Sequence, residues 1–83
     1  MKQNPPEVIV GFNWTRAVNY ILLKLEPSNE VILKSHNNRM SKMFLNSAVT
    51  VLCEERGFYK KVREWKDGDE IKIHLKRIGV AGE

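Results

Sequence analysis

The sequence predicts a small α+β domain: a two-layer β-α-β-α-β-β sandwich, with a four-stranded sheet that carries both helices on one face. The chain has 83 residues, enough for one domain and too few for two. Stretches beginning near Asn13 and Arg39 repeat apolar residues with helical period, whereas Val8–Val10, Val31–Leu33, Phe58–Trp65 and Ile71–Leu75 read as strands. An Asp67-Gly68 turn signal marks the last two strands as a hairpin.

Met1–Pro6 reads as a tail, because Pro5-Pro6 suits neither helix nor ladder. Val8-Ile9-Val10 is a β-branched run expected as a buried strand, and Gly11 eases the turn after it. Asn13 caps a first helix with the apolar stripe Ala17, Val18, Ile21, Leu22 and Leu25, and Pro27-Ser28-Asn29 stops it. Val31-Ile32-Leu33 forms the second strand, flanked by Glu30 and Lys34. Ser35-His36-Asn37-Asn38 is a polar turn that supplies N-cap candidates for a longer helix, from Arg39 to about Arg56. Its apolar positions are Met40, Met43, Phe44, Ser47/Ala48, Val51 and Leu52, and Gly57 suits the left-handed residue beyond it. Phe58–Trp65 alternates imperfectly, which points to a bulge, while Ile71, Ile73 and Leu75 alternate cleanly with Lys72, His74 and Lys76. The ordered core is expected over residues 7–78, with flexible tails at 1–6 and 79–83.

Composition narrows the function. Cys53 is the sole cysteine, so an internal disulfide is impossible and a reducing compartment is expected. No apolar run approaches the roughly 20 residues of a membrane span, and no signal peptide opens the chain, so the expected location is cytoplasmic. A domain this short buries only roughly 60–65% of its unfolded surface, which makes self-association the most accessible further source of stability. Chemistry is sparse. The histidines are His36 and His74, and no CxxC, HExxH, GxxxxGK[ST] or GxGxxG pattern occurs. The expectation is therefore no enzyme, no cofactor and no metal site.

Fourteen Lys/Arg against ten Asp/Glu give a net charge of +4 and a pI near 9.4. No acid lies between Glu30 and Glu54, where Lys34, Arg39 and Lys42 fall; Arg56, Lys60, Lys61, Arg63 and Lys66 follow, interrupted only by Glu64. Lys34, His36, Asn37, Asn38, Arg39 and Lys42 crowd one strand-to-helix junction, with Lys42 on the same helical face as Arg39. A helix N-terminus adds unsatisfied N–H groups, so this junction suits a phosphate, bound without reading bases. The competing reading is that the asparagines turn the chain and cap the helix while the cations are solvated. Trp65, between Arg63 and Lys66, suits stacking on a base or sugar, or a subunit contact. Met43, Phe44 and Leu45 are consecutive, so they cannot all face one thin core; a dimer face around Phe44, Leu45, Val62 and Trp65 is expected.

Asn19-Tyr20, Val31-Ile32-Leu33-Lys34, Met40-Ser41-Lys42 and Arg63-Glu64-Trp65-Lys66 before Gly68, in this order over residues 8–78, resemble the archaeal Alba chromatin proteins. The resemblance implies an architectural, chromatin- or nucleoid-associated protein. Such a protein binds double-stranded DNA or RNA with little sequence preference, as a homodimer or a heterodimer with a paralogue. It carries Lys34 and Lys42 over as nucleic-acid contacts, to which the charge pattern adds Arg16, Asn38, Arg39, Arg63 and Lys66. It also implies a relation to RNA-binding subunits of RNase P-type ribonucleoproteins, and a protein-interaction module without nucleic-acid binding is the third reading. The family's lysine pair is replaced by Trp14-Thr15, its Arg-Gly-Arg run by His36-Asn37-Asn38, and its long basic hairpin by a short, partly acidic turn. These departures imply weaker or altered binding.

Overall fold

A computed structural model describes residues 5–24 and 30–78. The elements follow as β1 (Glu7–Ile9), α1 (Trp14–Lys24), β2 (Glu30–His36), α2 (Arg39–Thr50), a π-helical turn (Val51–Glu55), β3 (Tyr59–Asp67) and β4 (Glu70–Arg77). The expected α+β order is found. The four strands form one mixed sheet in the order β1-β2-β4-β3, with β1 parallel to β2 and the other pairs antiparallel.

Period-two alternation sorts the two sheet faces. Val31, Leu33 and Ser35 of β2 and Ile71, Ile73 and Leu75 of β4 point to one side and are buried. Ala17, Val18 and Ile21 of α1 and Leu45, Ala48 and Leu52 of the second helical segment join them in one core cluster. Each such fully buried large aliphatic side chain contributes about 1.5–3 kcal/mol. The opposite face carries Ile32, Lys34, Lys72, His74 and Lys76, and no helix packs on it among the described residues.

Several details differ from the sequence expectation. Tails were expected to include Pro5-Pro6, but the Pro6 carbonyl accepts a hydrogen bond from Ile32 N at 2.9 Å, which fastens it beside β2. β1 is an edge strand rather than a buried one: Val10 just beyond it is buried, while Ile9 points outward and is exposed. The buried stripe of α2 runs through Leu45 and Ala48, not through Met40 and Met43, which are exposed. This helix has apolar residues on more than one side, and the sheet takes only the side that includes Ser41, whose carbonyl sits 3.3 Å from the β2 hydroxyl of Ser35. The α-helix stops at Thr50 and widens into a π turn, closed by Arg56 N donating to Val51 O at 2.8 Å, before Gly57. Leu25, the Pro27-Ser28-Asn29 stop and the tails at 1–4 and 79–83 lie outside the described residues.

Gly57 has φ +70°, the left-handed value expected of it, and open space where a Cβ would project. A Gly57→Ala variant therefore meets no clash and bears only the backbone cost, about 1–2 kcal/mol. Urea unfolding should show a lower midpoint at an unchanged slope.

The hairpin loop is Gly68-Asp69, with Asp67 paired to Glu70. Positive φ occurs at Gly68 but not at Asp69. The turn therefore has the glycine-first, type II′ pattern, with Asp67 in the strand and not in the loop. The expected bulge is present: the β3–β4 register shifts between Lys61 and Arg63. It absorbs Val62, so Lys61 and Glu64 stay on the helix side while Lys60, Arg63 and Trp65 share the open face with Lys76, His74 and Lys72.

Candidate nucleic-acid interface

Because β1 and β2 run parallel, the helix that follows each of them starts at the same end of the sheet. β4 begins opposite the last residue of β2, with His36 paired to Glu70, so the hairpin loop reaches that end too. Local contacts fasten the segments together. Ser35 Oγ donates to the Val10 carbonyl at 2.7 Å and lies 3.3 Å from that of Ser41; its single proton favours the shorter contact. Asn37 N donates to the Asp69 carbonyl at 2.7 Å, which ties the hairpin loop to the entry of α2. The Phe12 and Phe44 rings meet edge to face, 6.0 Å between centroids.

The sequence-predicted cations divide among separate places. Arg39 and Lys42 lie on the first turn of α2, three residues apart. Lys42 and Lys66 line one recess of about 130 Å³, with Leu45, Asn46, Glu64 and Ile71. No ion pair involves Arg39, Lys42 or Lys66 among the described residues. Asn38 is the N-cap: its side-chain oxygen accepts from Ser41 N at 2.8 Å. Its carboxamide oxygen is thus committed to the helix, as the capping reading of the asparagines expects.

The remaining candidates lie elsewhere, because strand alternation and sheet order separate them. Arg16 lines a depression beside β1 with Val8, Ile9, Asn13, Ala17 and Tyr20. That is the opposite edge of the sheet from β3, about 14 Å away at ordinary strand spacing. Lys34 and Arg63 point to the open face. Lys34 Nζ is 3.1 Å from Glu7 Oε1, and the Arg63 guanidinium lies 4.2 Å from the centre of the Trp65 ring. The expectation of one patch drawn from the starts of both helices therefore reduces to Arg39, Lys42 and the hairpin's Lys66.

The expected dimer residues do not form one surface. Leu45 is only 1% exposed and packs in the chain's own core, so no second chain can reach it. Phe44 is half-buried against that core. Val62 sits in the edge-strand bulge, and Trp65 is on the face away from the helices. The exposed apolar side chains near Phe44 are Phe12, at 84%, and on α2 Met40 and Met43, the latter at 61%. Those two methionines stand on the helical turn that the sequence stripe assigned to the core.

Sequence reasoning did not select the open face as a site. Its signal was present in the Lys72-His74-Lys76 alternation. Lys72 Nζ lies 3.0 Å from Asp67 Oδ2 and 3.5 Å from Glu7 Oε2. The Lys34 hydrogen bond, assisted by Lys72, holds the Glu7 carboxyl below the usual carboxylate range against a smaller opposing effect of burial, and the Asp67 contact raises the Lys72 ammonium. His74 was expected to be solvated. Its Nε2 is instead buried, 2.7 Å from Glu30 Oε1, though the approach does not have hydrogen-bond geometry. Distance alone brings these groups together, and the contact is attractive when the ring is protonated. A depressed acid contributes stability above its unfolded pKa and loses it as pH falls through the folded value. Glu7→Gln should therefore flatten the acid limb of the melting temperature against pH while leaving the shape of its neutral limb in place.

The Cys53 thiol is half-buried, and burial followed by the neighbouring Glu54 pushes its pKa up, so it is a poor nucleophile at neutral pH. Among the described residues no group of three or more His, Cys, Asp or Glu is placed to hold a metal ion, and no helix is long and apolar enough to cross a membrane. The chain matches no family model, no curated protein and no solved structure.

Proposed function

We propose that this chain is a non-enzymatic, largely sequence-independent nucleic-acid-binding protein of the Alba type, working as a dimer. It grips phosphates at the end of the sheet where both helices begin. One observation carries this reading: Lys42 and Lys66, without ion pairs among the described residues, line one recess beside the hairpin that Asn37 fastens there, and Arg39, also without an ion pair among the described residues, stands on the same first turn of α2 as Lys42. Cations and unsatisfied amides at one helix start favour a polyanion and read no base edges. The β-α-β-α-β-β order supports the Alba-like part of the reading. The exposed Phe12, Met40 and Met43 supply an apolar surface for a second copy, in place of the residues expected from sequence.

The test is duplex binding across a salt series. If these cations neutralise three phosphates, log K falls against log salt with a slope of about −2.7. A flat response rejects the proposal. Sedimentation at increasing concentration tests the dimer, and a monomer throughout removes that part alone.

A further inference from the structure

The open face of the sheet is itself a charged and aromatic surface. Across β4 and β3 its rows read Lys76 beside Lys60, His74 beside Arg63, and Lys72 beside Trp65. The acids Glu7 and Asp67 are neutralised by Lys34 and Lys72, and Glu30 is faced by His74. Lys60, Lys76 and Arg63 form no ion pair among the described residues. Lys60 and Lys76 stand directly opposite one another, an arrangement that costs stability unless an anion lies over it. Glu70, paired with Asp67 and with His36, lies at the loop end of the face, beyond Trp65.

We propose that this face binds single-stranded nucleic acid, with a base stacked on Trp65 and the flanking phosphates held by Arg63, Lys60 and Lys76. The proposal rests on the nucleic-acid reading above and adds a second surface with a different ligand form. A single strand fits where a duplex does not, because only an unstacked base can lie flat against an indole. The Arg63 guanidinium now covers the ring at 4.2 Å. An exposed cation–π contact is weaker than base–aromatic stacking, so a base displaces the guanidinium, which then turns to a phosphate. The bulge at Val62 is what brings Arg63 and Trp65 to this side.

In a Trp14→Phe background Trp65 is the only indole, and its fluorescence reports the site directly. A thymidine homopolymer of about 10 nucleotides should quench it, and a blunt duplex at the same salt should not. Adding Trp65→Leu should weaken single-strand binding about tenfold or more while leaving duplex binding unchanged. The pair Lys60→Ser/Lys76→Ser, at two exposed positions, should reduce the single-strand salt slope by about 1.4. If Trp65→Leu leaves both ligands bound as before, or weakens both equally, the platform is overturned and the phosphate site at α2 still stands. If the parent binds neither ligand, both proposals fail together.

Discussion

Replacing Arg39, Lys42 and Lys66 together by alanine is expected to abolish most duplex affinity at moderate salt. Each neutralised phosphate contributes about 0.9 to the salt slope, so removing all three cations at about 0.1 M salt lowers the binding constant roughly 500-fold. The same arithmetic gives the parent about a 40-fold loss between 50 and 200 mM salt and the variant almost none. Both measurements come from one titration series, and they must agree. Arg39, Lys42 and Lys66 lie at the surface and form no ion pair among the described residues, so stability should change by no more than about 0.5 kcal/mol. A variant that folds, binds and keeps its slope removes this corner of the sheet from the interface. Arg16→Ala is the matched control: it sits beside β1, the far edge from β3, and its removal should leave the slope unchanged.

Leu45→Ala is expected to cost about 3 kcal/mol, within the range for a large-to-small change in a packed interior. A chain of this size has roughly 4–12 kcal/mol in total, so this one substitution removes a large part of it. At about 4–8 °C per kcal/mol for a small domain, the melting temperature should fall by more than about 10 °C. The effect should not depend on protein concentration, because Leu45 is buried within its own chain beside Ala48 and Leu52. Met43→Ser, at an exposed position of the same helix, reports the contrary case. If the methionine lies between two copies, dilution lowers the melting temperature of the parent, and the variant loses that dependence. If Leu45→Ala melts with the parent, the helix packs by a different side.

The α+β order was legible in the sequence because periodicity and turn chemistry agreed. Ile71, Ile73 and Leu75 alternate with polar residues, Gly57 and Gly68 take positive φ, and Asn38 caps α2. The orientation of α2 was not legible. Met40, Met43, Phe44 and Leu45 offer apolar groups around more than half its circumference, and only the Ser35 contact beneath Ser41 reveals which side meets the sheet. The candidate site was partly legible for the same reason. Arg39 and Lys42 are near in sequence and stay near in space. Lys34 is near in sequence too, but strand alternation sends it to the other face, where Glu7, twenty-seven positions away, pairs with it. No local pattern shows a partner that distant.

The bulge in β3 makes Val62 a spare residue. Excised, it would leave an unbroken ladder with the same side chains showing on each side. The same excision at Glu64 would keep Trp65 opposite Lys72 but set Val62 opposite His74 and turn Arg63 inward, opposite Ile73. Length at this edge is thus adjustable at any of three positions, but only at Val62 without altering what shows outside: a chain could keep every cation and its aromatic ring and still present a different exterior.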